Sequence, residues 1–167
     1  MMDMRYWVFS RKYLAIALLL VCTFTLNAQL KELDFDQFDT YLHRNTDSIY
    51  VVNFWATWCA PCVAELPHFE QLNEKYRDRK VKVLLVNLDF PKHKDSRVIP
   101  FIREHGLKSE VIFLNDPNSN VWIDKVSPAW SGAIPYTVIY ISTRRAYYEQ
   151  SFTYEELEKE VLGFLNE

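Results

Sequence analysis

The chain has 167 residues, a length that suits a single domain. Hydrophobic residues make up 49% and charged residues 25% of the sequence, which excludes a wholly disordered or fibrous chain. The formal net charge of −3 gives no sign of the basic surface that general nucleic-acid binders require. Only three glycines are present, which argues against a glycine-rich phosphate-binding loop.

The first 28 residues have the features of a secretory signal. Three basic residues precede a run of 14 largely apolar residues that ends at Leu26. This run is shorter than the roughly 20 residues of a membrane-spanning helix, and Ala28 provides the small residue that a signal peptidase needs. We therefore expect residues 1–28 to be a signal peptide.

Two alternatives remain for this leader. It would either stay attached as an N-terminal anchor, or act as a lipoprotein signal that ends at Cys22, although Val21 stands where such signals carry a small residue. We expect residues 29–167 to form the mature domain in the periplasm, because Gram-negative bacteria use leaders of this form for export. Without residues 1–28 the chain has 16 basic and 21 acidic residues, a net charge of −5, and two cysteines.

Beyond the leader, the spacing of apolar residues predicts alternating strands and helices. Strands are predicted over residues 49–54, 81–88, 111–114, 136–141 and 146–152, and helices over 34–44, 61–77, 98–105, 122–126 and 157–165. Residues 89–95 are predicted to form a loop, since they are polar and contain a proline. Thr153 and Glu156 have the spacing of a capping box before the last helix, and Pro67 is expected to kink the second helix.

The order of these elements predicts the class of fold. In the first part, strands and helices alternate, which implies parallel strand pairing through helical crossovers. The last two strands are joined by a short loop around residues 142–145, so they should pair antiparallel. We therefore predict an α/β fold in which a central mixed β-sheet is flanked by helices.

The segment Trp58-Cys59-Ala60-Pro61-Cys62 places two cysteines at the predicted start of a helix. There the first thiol lies near unpaired backbone N–H groups and the positive end of the helix dipole, which lower its pKa. Cys59 would attack a substrate disulfide, and the more buried Cys62 would then attack Cys59 and release the reduced partner. Pro61 suits the first helical turn, where its missing N–H costs little.

Three other roles are open for this cysteine pair. A structural disulfide would close a loop too short to restrict the unfolded chain much. A zinc site would require two more ligands, and His68 is the nearest candidate. The two cysteines would otherwise be buried and inert. Because a strand, the Cys-x-x-Cys pair and a helix follow in that order, redox chemistry is the preferred interpretation.

The segment VVNFWATWCAPCVAELP, residues 51–67, resembles the active-site strand and helix of the thioredoxin superfamily. It is most similar to the TlpA/ResA-like branch of secreted or membrane-tethered thiol-disulfide oxidoreductases. A second segment, GAIPYT at residues 132–137, resembles the cis-proline motif of the superfamily. The resemblance covers about residues 35–167 and implies a thioredoxin-like fold with a TlpA-type central insertion, which would account for the 73 residues from Cys62 to Pro135.

The resemblance also implies roles for single residues. Pro135 would follow a cis peptide bond that faces the cysteines, and the backbone of Ile134 would hold a substrate strand. Glu65 matches a proposed acid–base group of the branch and would have a raised pKa if it is partly buried; a solvated helix glutamate is the alternative. Asn53 departs from the buried aspartate of thioredoxins and cannot titrate, so proton transfer would fall to Glu65 or to water.

Tryptophans near the cysteines are candidates for substrate contact. Trp58 adjoins Cys59, and Trp130 lies five residues before Pro135. Together with Trp55 they would form an apolar rim for a polypeptide, with core packing as the alternative, above all for Trp55. The predicted substrate-binding residues are Trp58, Ala60, Pro61, Trp130, Ile134 and Pro135.

These features predict a periplasmic thiol-disulfide oxidoreductase that acts as a reductant, as the resemblance to proteins that reduce apocytochrome thiols before haem attachment implies. It would act as a monomer without bound cofactor or metal, and a protein donor would supply electrons. Its partners would be protein thiols or disulfides, with membrane contact only through a retained leader and no nucleic acid. A non-catalytic binding domain and a thiol peroxidase are the alternatives, although Thr57 lies two residues before Cys59, not three as in a Thr-x-x-Cys motif.

Overall fold

A computed structural model of the chain describes residues 30–165, so the expected signal peptide lies outside the described residues. The strands are β1 (Leu30–Leu33), β2 (Ile49–Trp55), β3 (Val81–Asn87), β4 (Glu110–Leu114), β5 (Tyr136–Ile141) and β6 (Arg144–Tyr148). They form one sheet in the order β1-β4-β3-β2-β5-β6. The first four pair in parallel, whereas β5 and β6 are antiparallel to their neighbours. The predicted mixed sheet with its antiparallel hairpin is confirmed.

Within residues 30–165, five α-helices flank this sheet. They are α1 (Phe35–Leu42), α2 (Ala60–Tyr76), α3 (Ile99–Glu104), α4 (Ser119–Val126) and α5 (Tyr154–Leu165). The predicted capping box is present before α5, because the N–H of Thr153 donates to the Glu156 carboxylate at 2.9 Å and the N–H of Glu156 donates to the Thr153 hydroxyl at 3.3 Å. Between β3 and β5 the chain forms α3, β4 and α4, where the sequence predicts a central insertion. No helix among residues 30–165 is long and apolar enough to cross a bilayer.

The structure corrects three parts of the sequence-based assignment. The sequence analysis did not predict β1, a four-residue edge strand that pairs with β4. The prediction of a loop over 89–95 is wrong, because a 3-10 turn at Pro91–His93 and a π-helical segment at Lys94–Val98 lead directly into α3. The predicted strand 146–152 lies at Arg144–Tyr148 instead, because its pairing with β5 begins directly after the turn, at Ile141 and Arg144, and ends at Thr137 and Tyr148.

The sheet separates two apolar clusters. Alternate residues of a strand point to opposite faces, so Val51 and Trp55 of β2 pack with α2 and α5. Val52 and Phe54 pack on the other face with α1 and α4. Asn53 shares the α2 face by the same alternation, and this places its side chain under the helix that carries the two cysteines.

Helix α2 is fixed at its middle as well as at its start. The carboxylate of Glu70 accepts hydrogen bonds from the N–H of Lys108 at 2.9 Å and of Ser109 at 3.1 Å. These two residues lead into β4, so the bonds connect α2 to the insertion. The helix continues through Pro67 to Tyr76.

Phe38 tests the packing of α1 against the sheet. Its ring is fully buried and lies edge-on to Phe54 at 5.8 Å between centroids. We expect Phe38→Ala to lower the free energy of unfolding by about 3–5 kcal/mol, because it leaves a cavity in the core. Urea unfolding followed by circular dichroism measures this change. Val121→Ala, at a site that is 60% exposed, is the control and should stay within about 0.5 kcal/mol; equal effects of the two changes would contradict the packing.

Candidate active site

Cys59 occupies the N-terminal capping position of α2. Strand β2 ends at Trp55, and a turn follows in which the N–H of Cys59 donates to the carbonyl of Ala56 at 3.1 Å. The backbone of Cys59 is extended, and its Sγ accepts the N–H of Cys62 at 3.3 Å. Pro61 lies in the first helical turn, where no intrahelical donor is needed. The sequence therefore places the Cys59 sulfur at the positive end of the helix.

Cys59 and Cys62 form a disulfide with an S–S distance of 2.03 Å and a Cα–Cα distance of 5.3 Å. Cys59 is 5% exposed and Cys62 is completely buried. Ala60 and Pro61, which separate them, are exposed. Only the outer sulfur is therefore open to a partner, and the surface around it is provided by the two intervening residues.

The loop before β5 faces the disulfide. The Ile134–Pro135 peptide bond is cis, as predicted from the resemblance. The carbonyl oxygen of Ile134 lies 3.7 Å from Sγ of Cys59. Gly132 in the same loop has a φ of 88°, and an added Cβ there would meet Ile123 at 3.2 Å, so both the conformation and the space favour glycine.

The three tryptophans considered for a rim differ in exposure. Trp58 is 55% exposed, whereas Trp55 is completely buried; Trp55 belongs to the core and not to the rim. Trp130 is largely buried and stacks on Tyr136 at 4.3 Å between centroids. Its Nε1 donates to the carbonyl of Ala133 at 2.7 Å, so Trp130 supports the loop that carries the cis peptide bond.

A groove of about 460 Å³ lies beside Trp58 and Ile134. Its walls come from residues 88–91 after β3, from parts of residues 114–123 in the insertion, and from Trp130. Phe90 on this wall is 64% exposed. The prediction of a polar loop over residues 89–95 did not include this wall; the aromatic Phe90 within an otherwise polar segment was the available signal.

Glu65 is a buried carboxyl group on α2, three residues after Cys62. It is 2% exposed, so the alternative of a solvated glutamate is wrong. Its Oε1 accepts from Nδ2 of Asn53 at 2.9 Å, and its Oε2 accepts from the N–H of Phe152 at 2.8 Å. Burial raises the pKa of Glu65 from 4.5 to about 7, even though both hydrogen bonds favour the ionised form.

Asn53 connects Glu65 to β5. Its Nδ2 also donates to the hydroxyl of Thr137 at 3.1 Å. The Oδ1 of Asn53 is buried and has no hydrogen-bond partner among the described residues. Sequence analysis named Asn53 only as a departure from an aspartate; the structure shows it as the side chain that orients the buried acid.

Within residues 30–165, no group of three or more histidine, cysteine or acidic side chains is arranged to hold a metal ion.

The fold and the disulfide at a helix start together define a thioredoxin-fold protein. Residues 22–140 match the AhpC/TSA family, and the chain belongs to that family.

Curated relatives match the chain over a shorter segment. The thiol-disulfide oxidoreductase ResA of Bacillus thuringiensis (strain Al Hakam) is 37% identical over 60 residues, 36% of this chain and 33% of that protein. The thioredoxin-like protein YneN of Bacillus subtilis (strain 168) is 36% identical over 62 residues, 37% of this chain and 36% of that protein. The aligned segment thus spans about a third of the length of these relatives.

Solved structures agree in fold. A secreted thiol-disulfide isomerase from Corynebacterium glutamicum superposes with a TM-score of 0.61 at 20% identity, over 72% of each chain. A DsbF homologue from Corynebacterium diphtheriae gives 0.59 at 22% identity, over 71% of this chain and 73% of that one. The predicted thioredoxin-like fold is confirmed.

The buried acid makes a testable contribution to stability. A pKa of about 7 in the folded state against 4.5 when unfolded means that the native state binds more protons between these values. The free energy of unfolding should therefore fall as pH rises from about 4.5 to 7. Glu65→Gln lacks the titrating carboxyl group and should not show this fall. The free energy of unfolding of the variant, relative to that of the oxidised wild type, should therefore increase by up to about 3 kcal/mol between pH 5 and pH 8.

Urea unfolding at several pH values measures this difference. Glu104→Gln, at an exposed position on α3, is the control and should run parallel to the wild type. A Glu65→Gln profile that also runs parallel to the wild type would contradict the raised pKa.

Proposed function

We propose that this protein is a thiol-disulfide oxidoreductase that exchanges the Cys59–Cys62 disulfide with thiols and disulfides of other polypeptides. The observation that carries this proposal is the disulfide at the start of α2, with its outer sulfur beside the Ile134 carbonyl and the apolar groove. The names of the relatives support it, because ResA is a thiol-disulfide oxidoreductase.

In the reducing direction, the thiolate of Cys59 attacks one sulfur of a substrate disulfide. A mixed disulfide forms, and the other substrate sulfur leaves as a thiolate that takes up a proton. Cys62 then loses its proton and attacks Sγ of Cys59, which releases the second substrate thiolate. Two electrons pass to the substrate, and the enzyme is left with the disulfide. A protein dithiol restores the reduced form by the reverse steps.

The helix start prepares Cys59 for the first step. The N–H of Cys62 and the positive end of the helix favour the thiolate over the thiol. Because Cys62 is completely buried, a substrate reaches only the outer sulfur. Cys59 is therefore the nucleophile and Cys62 the resolving residue.

Glu65 is the proposed proton acceptor for Cys62. Both lie on the same side of α2, three residues apart, and both are buried. With a pKa of about 7, Glu65 is present in both protonation states near neutral pH, as a general base requires. When Glu65 carries the proton, rotation of the Asn53 amide lets its unpartnered Oδ1 accept the new hydrogen bond.

The substrate would lie across the exposed surface around the disulfide. An extended segment would pair with the backbone of Ile134 beside Pro135, next to the exposed Ala60 and Pro61. Its side chains would enter the groove beyond Trp58. Trp130 would contribute to the groove wall rather than to an exposed rim.

We also propose export to the periplasm through residues 1–28, reduction as the direction of the reaction, and apocytochrome c as a candidate substrate. The leader sequence and the similarity to a secreted thiol-disulfide isomerase support the first point. Ala-Pro between the cysteines lacks the histidine that would strongly stabilise the reduced form, which supports the second. The third extends the resemblance to the TlpA/ResA-like branch.

The exchange reaction can be tested with insulin. The reduced wild type should cleave insulin disulfides, whereas Cys59→Ser should abolish the reaction and Cys62→Ser should accumulate mixed disulfides, because the resolving step is missing. Mass spectrometry identifies the trapped proteins, and the mass of the same sample shows whether residues 1–28 were removed.

Activity that survives in Cys59→Ser would contradict the proposal, and an inactive wild type would favour the binding domain. Peroxide consumption would favour the peroxidase.

The direction of the reaction can be tested by equilibration with glutathione or dithiothreitol buffers. We expect a reduction potential nearer to the roughly −270 mV of thioredoxin than to the roughly −120 mV of a strong oxidase. Alkylation and mass measurement of the quenched mixtures give the ratio of the two forms. A potential above about −180 mV would show that the protein acts as an oxidant.

A further inference from the structure

Asp89 is a buried carboxylate that the exchange reaction described above does not use. It lies two residues beyond β3 and is 2% exposed. Its Oδ2 accepts from the N–H of Thr57 at 2.7 Å and from Nδ2 of Asn87 at 2.9 Å. Its Oδ1 accepts from the hydroxyl of Thr57 at 2.6 Å. Three donors thus compensate for the burial of the charge.

These bonds connect the end of β3 to the turn before Cys59. Thr57 lies inside that turn, which closes with the bond from the N–H of Cys59 to the carbonyl of Ala56. The carboxylate is itself oriented from its own strand, because the N–H of Asp89 donates to Oδ1 of Asn87 at 3.1 Å. Asp89 therefore fixes the turn to the central part of the sheet.

The position of the turn determines where the side chain of Cys59 lies relative to the first N–H groups of α2. Its sulfur can cap the helix only while the extended backbone of Cys59 directs Sγ toward the N–H of Cys62. Without the carboxylate, the buried amide of Asn87 and the two donors of the partly buried Thr57 would lose their partner, and this loss would displace the turn.

We propose that Asp89 is a positioning residue for Cys59, and that its three hydrogen bonds keep the sulfur on the N-terminus of α2. This inference rests on the proposed function, because it concerns the reactivity of the same thiol. Asp89 does not touch the substrate; it acts through Thr57 and the turn.

The hydrogen bonds and the charge of Asp89 act on the thiol in opposite directions. A nearby negative charge disfavours the thiolate and raises the thiol pKa, whereas correct positioning at the helix start lowers it. Asp89→Asn separates the two effects. Its Oδ1 can accept from the N–H of Thr57 and from Asn87, and its amide nitrogen can donate to the hydroxyl of Thr57.

The experiment measures the thiol pKa of Cys59 in the reduced full chain, from the rate at which iodoacetamide alkylates Cys59 as a function of pH. Peptide mass spectrometry separates this rate from those of Cys22 and Cys62. We expect Asp89→Ala to raise this pKa by about one unit and to slow the reaction with oxidised glutathione several-fold at pH 7. Asp89→Asn should keep the thiol pKa at or below the wild-type value, because the hydrogen bonds remain and the charge is removed, and it should keep the rate within about twofold of the wild type. Asp34→Ala is the control and should leave both values unchanged, since its carboxylate also accepts a backbone N–H, that of Gln37 at 2.8 Å, but at the start of α1 and outside the residues that line the groove.

A lower thiol pKa in both Asp89 variants would overturn the proposal in favour of a charge effect. Equal increases in both variants, or no change in Asp89→Ala, would also overturn it. Should Asp89→Ala fail to fold, Thr57→Val removes only the hydroxyl bond and should slow the reaction about twofold to threefold; an unchanged rate would overturn the proposal. Alkylation needs no protein substrate, so the thiol pKa can be measured even if the wild type does not reduce insulin. Failure to reduce insulin would contradict the proposed function, whereas the inference about Asp89 depends only on the thiol pKa and the rate with glutathione.

Discussion

The hydrogen bond from the N–H of Cys62 to Sγ of Cys59 is the contact around which the site is arranged. It places a polarisable sulfur where the backbone of α2 has unpaired donors. Strand β2 and the following turn bring Cys59 to this point, and the Asp89 network fixes the turn. The loop of Ile134 approaches the same sulfur, with its carbonyl oxygen 3.7 Å from Sγ of Cys59. The start of α2, the turn held by Asp89 and the loop of Ile134 together determine the position of the Cys59 sulfur.

The two sulfurs belong to different environments although one helical turn separates them. Both cysteines pack in the apolar cluster of α2 and α5, but Cys59 is 5% exposed and adjoins the exposed Trp58, whereas Cys62 is completely buried. The acid in this enclosure comes from the helix, as Glu65, and not from the strand, where Asn53 supplies an amide. The amide orients the carboxyl group, while burial keeps its pKa near neutrality. In the proposed mechanism, Asn53 thus orients the acid and Glu65 transfers the proton.

Sequence analysis identified the features that depend on short, local patterns. The cysteine pair, the Ile-Pro motif and the long apolar strands are each contained in a few consecutive residues, and the structure has them where they were expected. β1 escaped notice because it is four residues long and is stabilised by β4, some 80 residues away. Asp89 and the groove wall at Phe90 escaped for the same reason. Their roles arise from partners that only the folded chain brings together.

The bonds of Glu70 to the start of β4 have a consequence for turnover. They hold the middle of α2 independently of the disulfide, so opening the S–S bond relieves a constraint in the first turn only. We expect the oxidised and reduced forms to present nearly the same contours to a partner. In the proposed reaction, product release would then depend on cleavage of the mixed disulfide and not on a conformational change. In the proposed exchange, donor and acceptor proteins would therefore bind the same surface, and the reactivity of their sulfur atoms would distinguish them.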